Sequence, residues 1–295
     1  MTDALRRLVE QLDNDRSLFE PNQFRRRLEA LDQLDVYSPR INAQAAFAAD
    51  SIEPELCRRA RAICARLEAA NCELYESIRG EIQRGPQPDT LLRWIHPLPH
   101  MEDDEACANG MGYDYLDELI SGVFQFEEPA VGQISRDSEK VFYQPTPARH
   151  IFTLLKMTAL TAADVLVDLG SGLGHVSLLA SICTHASSVG IESESAYIGC
   201  ARQCAQRLNL HDKVTFIHQD ARLADFSAGT VFYLYSPFTG SILNAVLHRL
   251  KHEAAARPIR ICSYGPCASV IAKEPWLKSA TTPGPNRIAL FHPRD

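Results

Sequence analysis

Val165-Leu166-Val167-Asp168-Leu169-Gly170-Ser171-Gly172-Leu173-Gly174-His175 is the stretch that decides the fold. An apolar run carries one acid, passes straight into three alternate glycines, and gives way to a helical pattern from about Leu173. Glycine accepts the positive φ that a sharp strand-to-helix turn needs, and lets another group approach the backbone without meeting a Cβ. The same alternation repeats outward from this point. Besides Val165–Asp168, strands are predicted at Ser188–Glu192, Val214–His218, Val231–Tyr235, Ile259–Ser263 and Arg287–Phe291. Helices are predicted at Ser195–Leu208 and Ser241–Leu250. Strands separated by helices of this length call for a mostly parallel α/β sheet covered on both faces. Ligands of such sheets bind beyond the carboxyl ends of the strands, so the chemistry is sought there.

The glycine spacing is Gly170-x-Gly172-x-Gly174, with His at 175. A dinucleotide fingerprint would place its third glycine one residue later, which disfavours a nicotinamide enzyme. Asp168 stands two residues before the first glycine and Ser171 lies inside the loop. An acid there suits a ligand that brings a cation to the loop, not a pyrophosphate. S-adenosyl-L-methionine carries two such groups, an α-ammonium and a sulfonium. Glu192 ends the next strand, about 20 residues after the loop, from where a carboxylate can take both ribose hydroxyls. Asp220 follows the third strand and is placed to accept an adenine amino group, with Ala221 packing on the ring.

These features in this order resemble the class I S-adenosylmethionine-dependent methyltransferases over roughly residues 140–295. The resemblance implies a Rossmann-like seven-stranded sheet with its last strand antiparallel, S-adenosyl-L-methionine as cofactor and S-adenosyl-L-homocysteine as product. Trp276–Ala280 and Asn286–His292 are the expected closing pair. A narrower resemblance rests on Tyr143-Gln144-Pro145-Thr146, the loop Asp-Leu-Gly-Ser-Gly-Leu-Gly-His-Val, Gly190-Ile191-Glu192, and Val231–Gly240. It is to the non-SET histone lysine methyltransferases of the disruptor-of-telomeric-silencing type. That likeness implies that Tyr143 and Thr146 touch the methionine part of the cofactor. It also implies that Tyr235, Ser236 and Phe238 line the methyl-transfer channel. Tyr235-Ser236 stands where that family has two asparagines. The same residue set would also support a catalytically inactive cofactor-binding scaffold.

The first half reads as all-helical. Leu56, Ala60, Ile63, Leu67, Ala70, Leu74, Ile78 and Ile82 form one stripe at spacings of three and four, bounded by Gly85-Pro86-Gln87-Pro88. Shorter helices are expected at Asp3–Leu12, Asn22–Leu34 and Asp114–Phe124. Residues 1–128 carry 14 Lys/Arg against 25 Asp/Glu, a charge of −11, and residues 129–295 carry 16 against 12, or +4. The asymmetry calls for two units, expected to be a helical N-terminal domain, 1–128, and, as the resemblance implies, a methyltransferase domain, 129–295. It also disfavours nucleic acid as a partner, since phosphate binding needs a concentrated basic surface. The acceptor is therefore expected to be a small molecule or a protein side chain, and the helical stripe allows a homodimer seam. No apolar run approaches the ~20 residues of a membrane span. The first residues lack an apolar leader and nine cysteines show no framework spacing, so free thiols in a cytoplasmic setting are expected. No metal is expected: Cys200/Cys204 and Cys262/Cys267 make no zinc spacing, and Glu102–Glu105 beside His100 reads as a solvated loop. Tyr113 and Asp117 are expected to form part of a lid that selects a polar, cationic substrate.

Overall fold

The computed structural model describes residues 2–41, 53–85, 87–95, 112–127 and 143–294. His100 with the acidic run Glu102–Glu105, Pro86 and the expected domain start at 129 lie outside these residues. The chain falls into two compact units, Met1–Ile78 and Arg79–Asp295.

The first unit contains α1 (Thr2–Asn14), α2 (Phe24–Asp35), α3 (Ser38–Ile41) and most of α4 (Pro54–Gln83). Leu5, Val9 and Leu12 recur at helical spacing and so share one face of α1. They pack in one cluster with Leu34 of α2 and with Leu56, Ala60, Ile63 and Leu67 of α4. Arg27 is fully buried in this unit. Its Nε donates to Asn71 Oδ1 at 2.6 Å, and its Nη1 donates to the carbonyls of Leu18 and Glu20 at 2.9 and 2.7 Å. These bonds offset part of the desolvation that lowers its pKa.

The second unit begins with the last turn of α4, followed by α5 (Asp89–Ile95), α6 (Tyr115–Phe124) and α7 (Ala148–Thr158). Then come β1 (Val165–Leu169), α8 (His175–Cys183), β2 (Ser187–Glu192), α9 (Ser195–Arg207) and β3 (Val214–His218). The chain continues through β4 (Val231–Tyr235), α10 (Gly240–Ala256), β5 (Arg260–Tyr264), α11 (Cys267–Ile271), β6 (Leu277–Ser279) and β7 (Ala289–Pro293). The sheet order is β3-β2-β1-β4-β5-β7-β6. The first five strands run parallel, and β7 lies antiparallel between β5 and β6. This is the class I methyltransferase architecture, with the antiparallel last strand in place. The order reverses beside β1, which puts the topological switch point between β1 and β4 and aims a ligand there.

The compact division at Ile78/Arg79 differs from the expected boundary at 128. Charge separates the halves near 128, but hydrogen bonding ties α4's end to the later helices. Arg79 donates to the carbonyl of Gly122 at 2.7 Å, and Gln83 donates to that of Arg207 at 2.7 Å.

β1 is buried on both faces, as central strands of parallel sheets are. Leu166, Val167 and Leu169 supply core, and Asp168 is buried with them. That carboxyl group is the feature around which the site is built.

Candidate functional site

A cavity of about 1020 Å³ opens at the carboxyl ends of β1 to β5. It collects residues that lie far apart in sequence: Tyr143 and Thr146 before the sheet, Asp168, Gly170 and Ser171 after β1, and Glu192 after β2. Asp220 and Ala221 join from the loop after β3, and Tyr235, Ser236 and Phe238 from the loop after β4. Gly172 and Gly174 are not on its wall. A Cβ on Gly172, at φ +51°, would stand 1.9 Å from the Tyr143 ring, so that ring covers the glycine. A Cβ on Gly170, at φ +85°, would stand 2.2 Å from Pro237 Cβ. The loop glycines thus admit two protein segments that close on the loop, one from before the sheet and one from after β4.

Asp168 is 3 % exposed. Burial, followed by the neighbouring Glu192 charge, pushes its pKa up to about 8. No basic side chain pairs with it among the described residues. Ser171 Oγ is likewise buried on the cavity wall with no hydrogen-bond partner among those residues. A buried acid with no basic partner and a buried hydroxyl with no hydrogen-bond partner are costly in the absence of a ligand.

Glu192 is anchored from three backbone amides. Its Oε2 accepts from Gly172 N at 3.0 Å, and its Oε1 accepts from Ser193 N and Glu194 N at 2.6 and 2.9 Å. The carboxylate is therefore fixed beside the glycine loop. Asp220 lies on the cavity wall and is already paired. Arg222 clamps it in a bidentate pair, Nε to both oxygens at 3.1 Å and Nη2 to Oδ2 at 2.6 Å.

Tyr143 and Thr146 are both held. Tyr143 Oη lies 3.2 Å from His175 Nδ1, and its ring packs at a tilt against Tyr197 at a centroid distance of 4.8 Å. His175 is kept neutral by burial, its pKa lowered to about 4. Thr146 Oγ1 lies 2.8 Å from Tyr233 Oη. Tyr233 and Tyr197 are cavity residues that the sequence reading missed. Tyr233 carries a usable signal, since residues i and i+2 of a strand share a face and Tyr235 is two residues on.

Ser236 lies on the cavity wall, with its hydroxyl held inside the protein. It has a left-handed backbone, φ +39°. Its hydroxyl accepts from Cys267 N at 2.9 Å and donates to the Tyr264 carbonyl at 3.3 Å. The side chain binds the β4–α10 loop to the start of α11 and is spent there. Tyr235 packs against Tyr264 at 4.7 Å, and Phe238 is buried on the wall.

Asp117, expected with Tyr113 in a substrate lid, is engaged with the backbone. Both its oxygens accept backbone amides, those of Ala148 and Asp114, each at 2.8 Å. Tyr113 Oη donates to the Pro145 carbonyl at 2.6 Å. The eight described cysteines are all free, and no cluster of three or more metal-ligating side chains occurs among the described residues. No described helix is long and apolar enough to cross a membrane.

The family model described as histone methylation protein DOT1 matches residues 135–219. That span runs through the glycine loop to the end of β3 and covers well under half of the chain. An RNA methyltransferase from Salinibacter ruber, in complex with S-adenosyl-L-homocysteine, is 24% identical with a TM-score of 0.41, covering 52% of this chain and 95% of that one. A SAM-dependent methyltransferase from Thiobacillus denitrificans, in the same kind of complex, is 23% identical with a TM-score of 0.35, covering 41% of this chain and 50% of that one. The tRNA (uracil-54, C5)-methyltransferase of Pyrococcus abyssi is 16% identical with a TM-score of 0.39, covering 51% of this chain and 39% of that one. The chain thus spans about half the length of the Thiobacillus protein. No curated protein matches it.

Proposed function

We propose that this chain is an S-adenosyl-L-methionine-dependent methyltransferase that acts on a small molecule or a protein side chain, by N- or O-methylation. The observation that carries the proposal is Asp168, a buried acid without a basic partner at the switch point of a class I sheet. When bound, the cofactor supplies a methyl group already activated by its sulfonium. Asp168 would hold the α-ammonium, and Ser171 Oγ would gain the partner it lacks. Glu192, fixed by three amides, would take the ribose hydroxyls. Ala221 and Asp220 would face the adenine, with Asp220 sharing its carboxylate with Arg222. Tyr143 and Thr146 would cover the methionine end.

Methyl transfer is an in-line displacement, so alignment and exclusion of water are the protein's main contributions. Tyr143 over Gly172 and Pro237 against Gly170 close the loop from two sides and so exclude water. Tyr235 and Phe238 would line the channel for the acceptor. The Ser236 hydroxyl is committed to α11, which leaves its backbone carbonyl as the group able to face an acceptor N–H. The DOT1 likeness lies on the cofactor half, so it bears on cofactor binding more than on the acceptor. We assign the helical N-terminal region to acceptor or partner binding, and a cytoplasmic setting accords with the free thiols.

The test is incubation of the protein with methyl-labelled S-adenosylmethionine and host lysate, with Asp168→Ala as control. Label in the acid-precipitable, ribonuclease-resistant fraction supports a protein acceptor, and acid-soluble label supports a metabolite. Ribonuclease-sensitive label would overturn the acceptor assignment. No transfer above the control would overturn the enzymatic reading and favour a binding protein.

A further inference from the structure

We propose that the first turn of α6 is a positioning clasp for the segment Tyr143–Thr146, and that Tyr113 and Asp117 thereby set the affinity for the amino-acid end of the cofactor without touching it. The inference rests on the cofactor assignment above.

Residues 143–147 belong to no helix or strand, so other groups must fix them. On the inner side, Tyr143 meets His175 and Thr146 meets Tyr233. On the outer side, two groups hold it, from Tyr113 and Asp117. Tyr113 Oη donates to the Pro145 carbonyl in the middle of the segment, at 2.6 Å. At its end, α7 starts from Pro147, which offers no side-chain cap. A helix N-terminus leaves orphan amides that need acceptors. The Ala148 amide finds one 31 residues upstream, in Asp117 Oδ1 at 2.8 Å.

The same carboxylate closes α6. Asp117 Oδ2 accepts from Asp114 N, and Asp114 Oδ1 accepts from Leu116 N, each at 2.8 Å, which is a capping box. Asp114 Oδ2 also takes Arg149, from the first turn of α7, through Nε at 2.9 Å and Nη2 at 2.6 Å. One capping box therefore fixes the starts of two helices and the chain entering the second. Neither Tyr113 nor Asp117 lines the cavity. Their effect reaches the ligand through Tyr143 and Thr146, which do.

The experiment is calorimetric titration of the full chain with two ligands, S-adenosylhomocysteine and 5′-methylthioadenosine. The second has the adenosine end but lacks the amino-acid end. Tyr113→Phe deletes one hydroxyl from an exposed ring and leaves the fold unthreatened. It is expected to weaken S-adenosylhomocysteine about three- to tenfold, the worth of one hydrogen bond, and to leave methylthioadenosine unchanged. Asp117→Ala should weaken it further, and Asp117→Asn, which keeps an acceptor for Ala148 N, should recover part of the loss. Unchanged affinity for S-adenosylhomocysteine in Tyr113→Phe would overturn the clasp, as would an equal loss for both ligands, the mark of a merely structural role. If the unmodified protein binds neither ligand, the cofactor assignment fails and the clasp falls with it. If it binds both and Tyr113→Phe binds as tightly, the clasp alone fails.

Discussion

Asp168 sets charge against burial more sharply than any other residue of the site. Its pKa in the folded chain, about 8, lies above its ordinary value of 3.8. Between those two values the native state holds a proton that the unfolded chain has lost, so stability falls as pH rises from about 4 towards 8. Asp168→Asn removes that penalty. The variant is expected to melt higher than the parent at pH 9 and level with it near pH 4, as thermal denaturation at both pH values would show. The same change should weaken S-adenosylhomocysteine about ten- to a hundredfold, the range for a hydrogen bond to a charged group. A variant destabilised at pH 9 would mean that the carboxylate has a basic partner after all. Gly172 supplies a second test at this scale. Gly172→Ala drives a Cβ into the Tyr143 ring at 1.9 Å. It is expected to lose cofactor binding and to cost more than 1 kcal/mol of stability, and Tyr143→Ala in the same chain should restore much of the stability but not the binding. Denaturant titration of the single and double variants reads both.

Among the elements, the strands were legible because their signal is local. An abrupt change from helical stripe to short apolar runs marks β1 to β5 to within a residue or so, and Val214–His218 and Val231–Tyr235 coincide with β3 and β4. The loops were less legible, because a polar side chain in a loop can turn to a ligand or to the backbone and the sequence does not say which. Ser236 and Asp117 turned to the backbone, and Asp220 turned to Arg222. For Ser236 this makes a prediction about the β4–α10 loop. Ser236→Ala keeps the left-handed backbone of φ +39° but loses the bonds to Cys267 and Tyr264. Ser236→Gly loses the same bonds but relieves the strain, which is of order 1 kcal/mol. The glycine variant should therefore be the more stable of the two in equilibrium unfolding. The reverse order would show that the backbone there is not strained.

For the whole molecule, two hydrophobic cores stand behind two compact units. One is built on Leu5, Leu34 and Leu67, and the other on Phe232, Ile261 and Phe291. The division between them was hidden from the sequence, because α4 runs through it as one amphipathic stripe that Gly80 does not interrupt. Charge, the signal that was available, reports surface and not packing. Two cores make a single cooperative transition unexpected. Scanning calorimetry should resolve more than one transition. S-adenosylhomocysteine at a hundred times its Kd should raise the one belonging to residues 79–295 by about 2.7 kcal/mol. One transition carrying all the enthalpy, or an equal shift of both, would contradict this.

The most direct test of the account is titration of the unmodified protein with S-adenosylhomocysteine at pH 7, in two buffers of different ionisation enthalpy, with NAD as the comparison ligand. Saturable one-site binding of S-adenosylhomocysteine is expected, with release of up to one proton as Asp168 ionises beside the ligand's ammonium, and no binding of NAD. Preference for NAD, or no binding of S-adenosylhomocysteine, would contradict it.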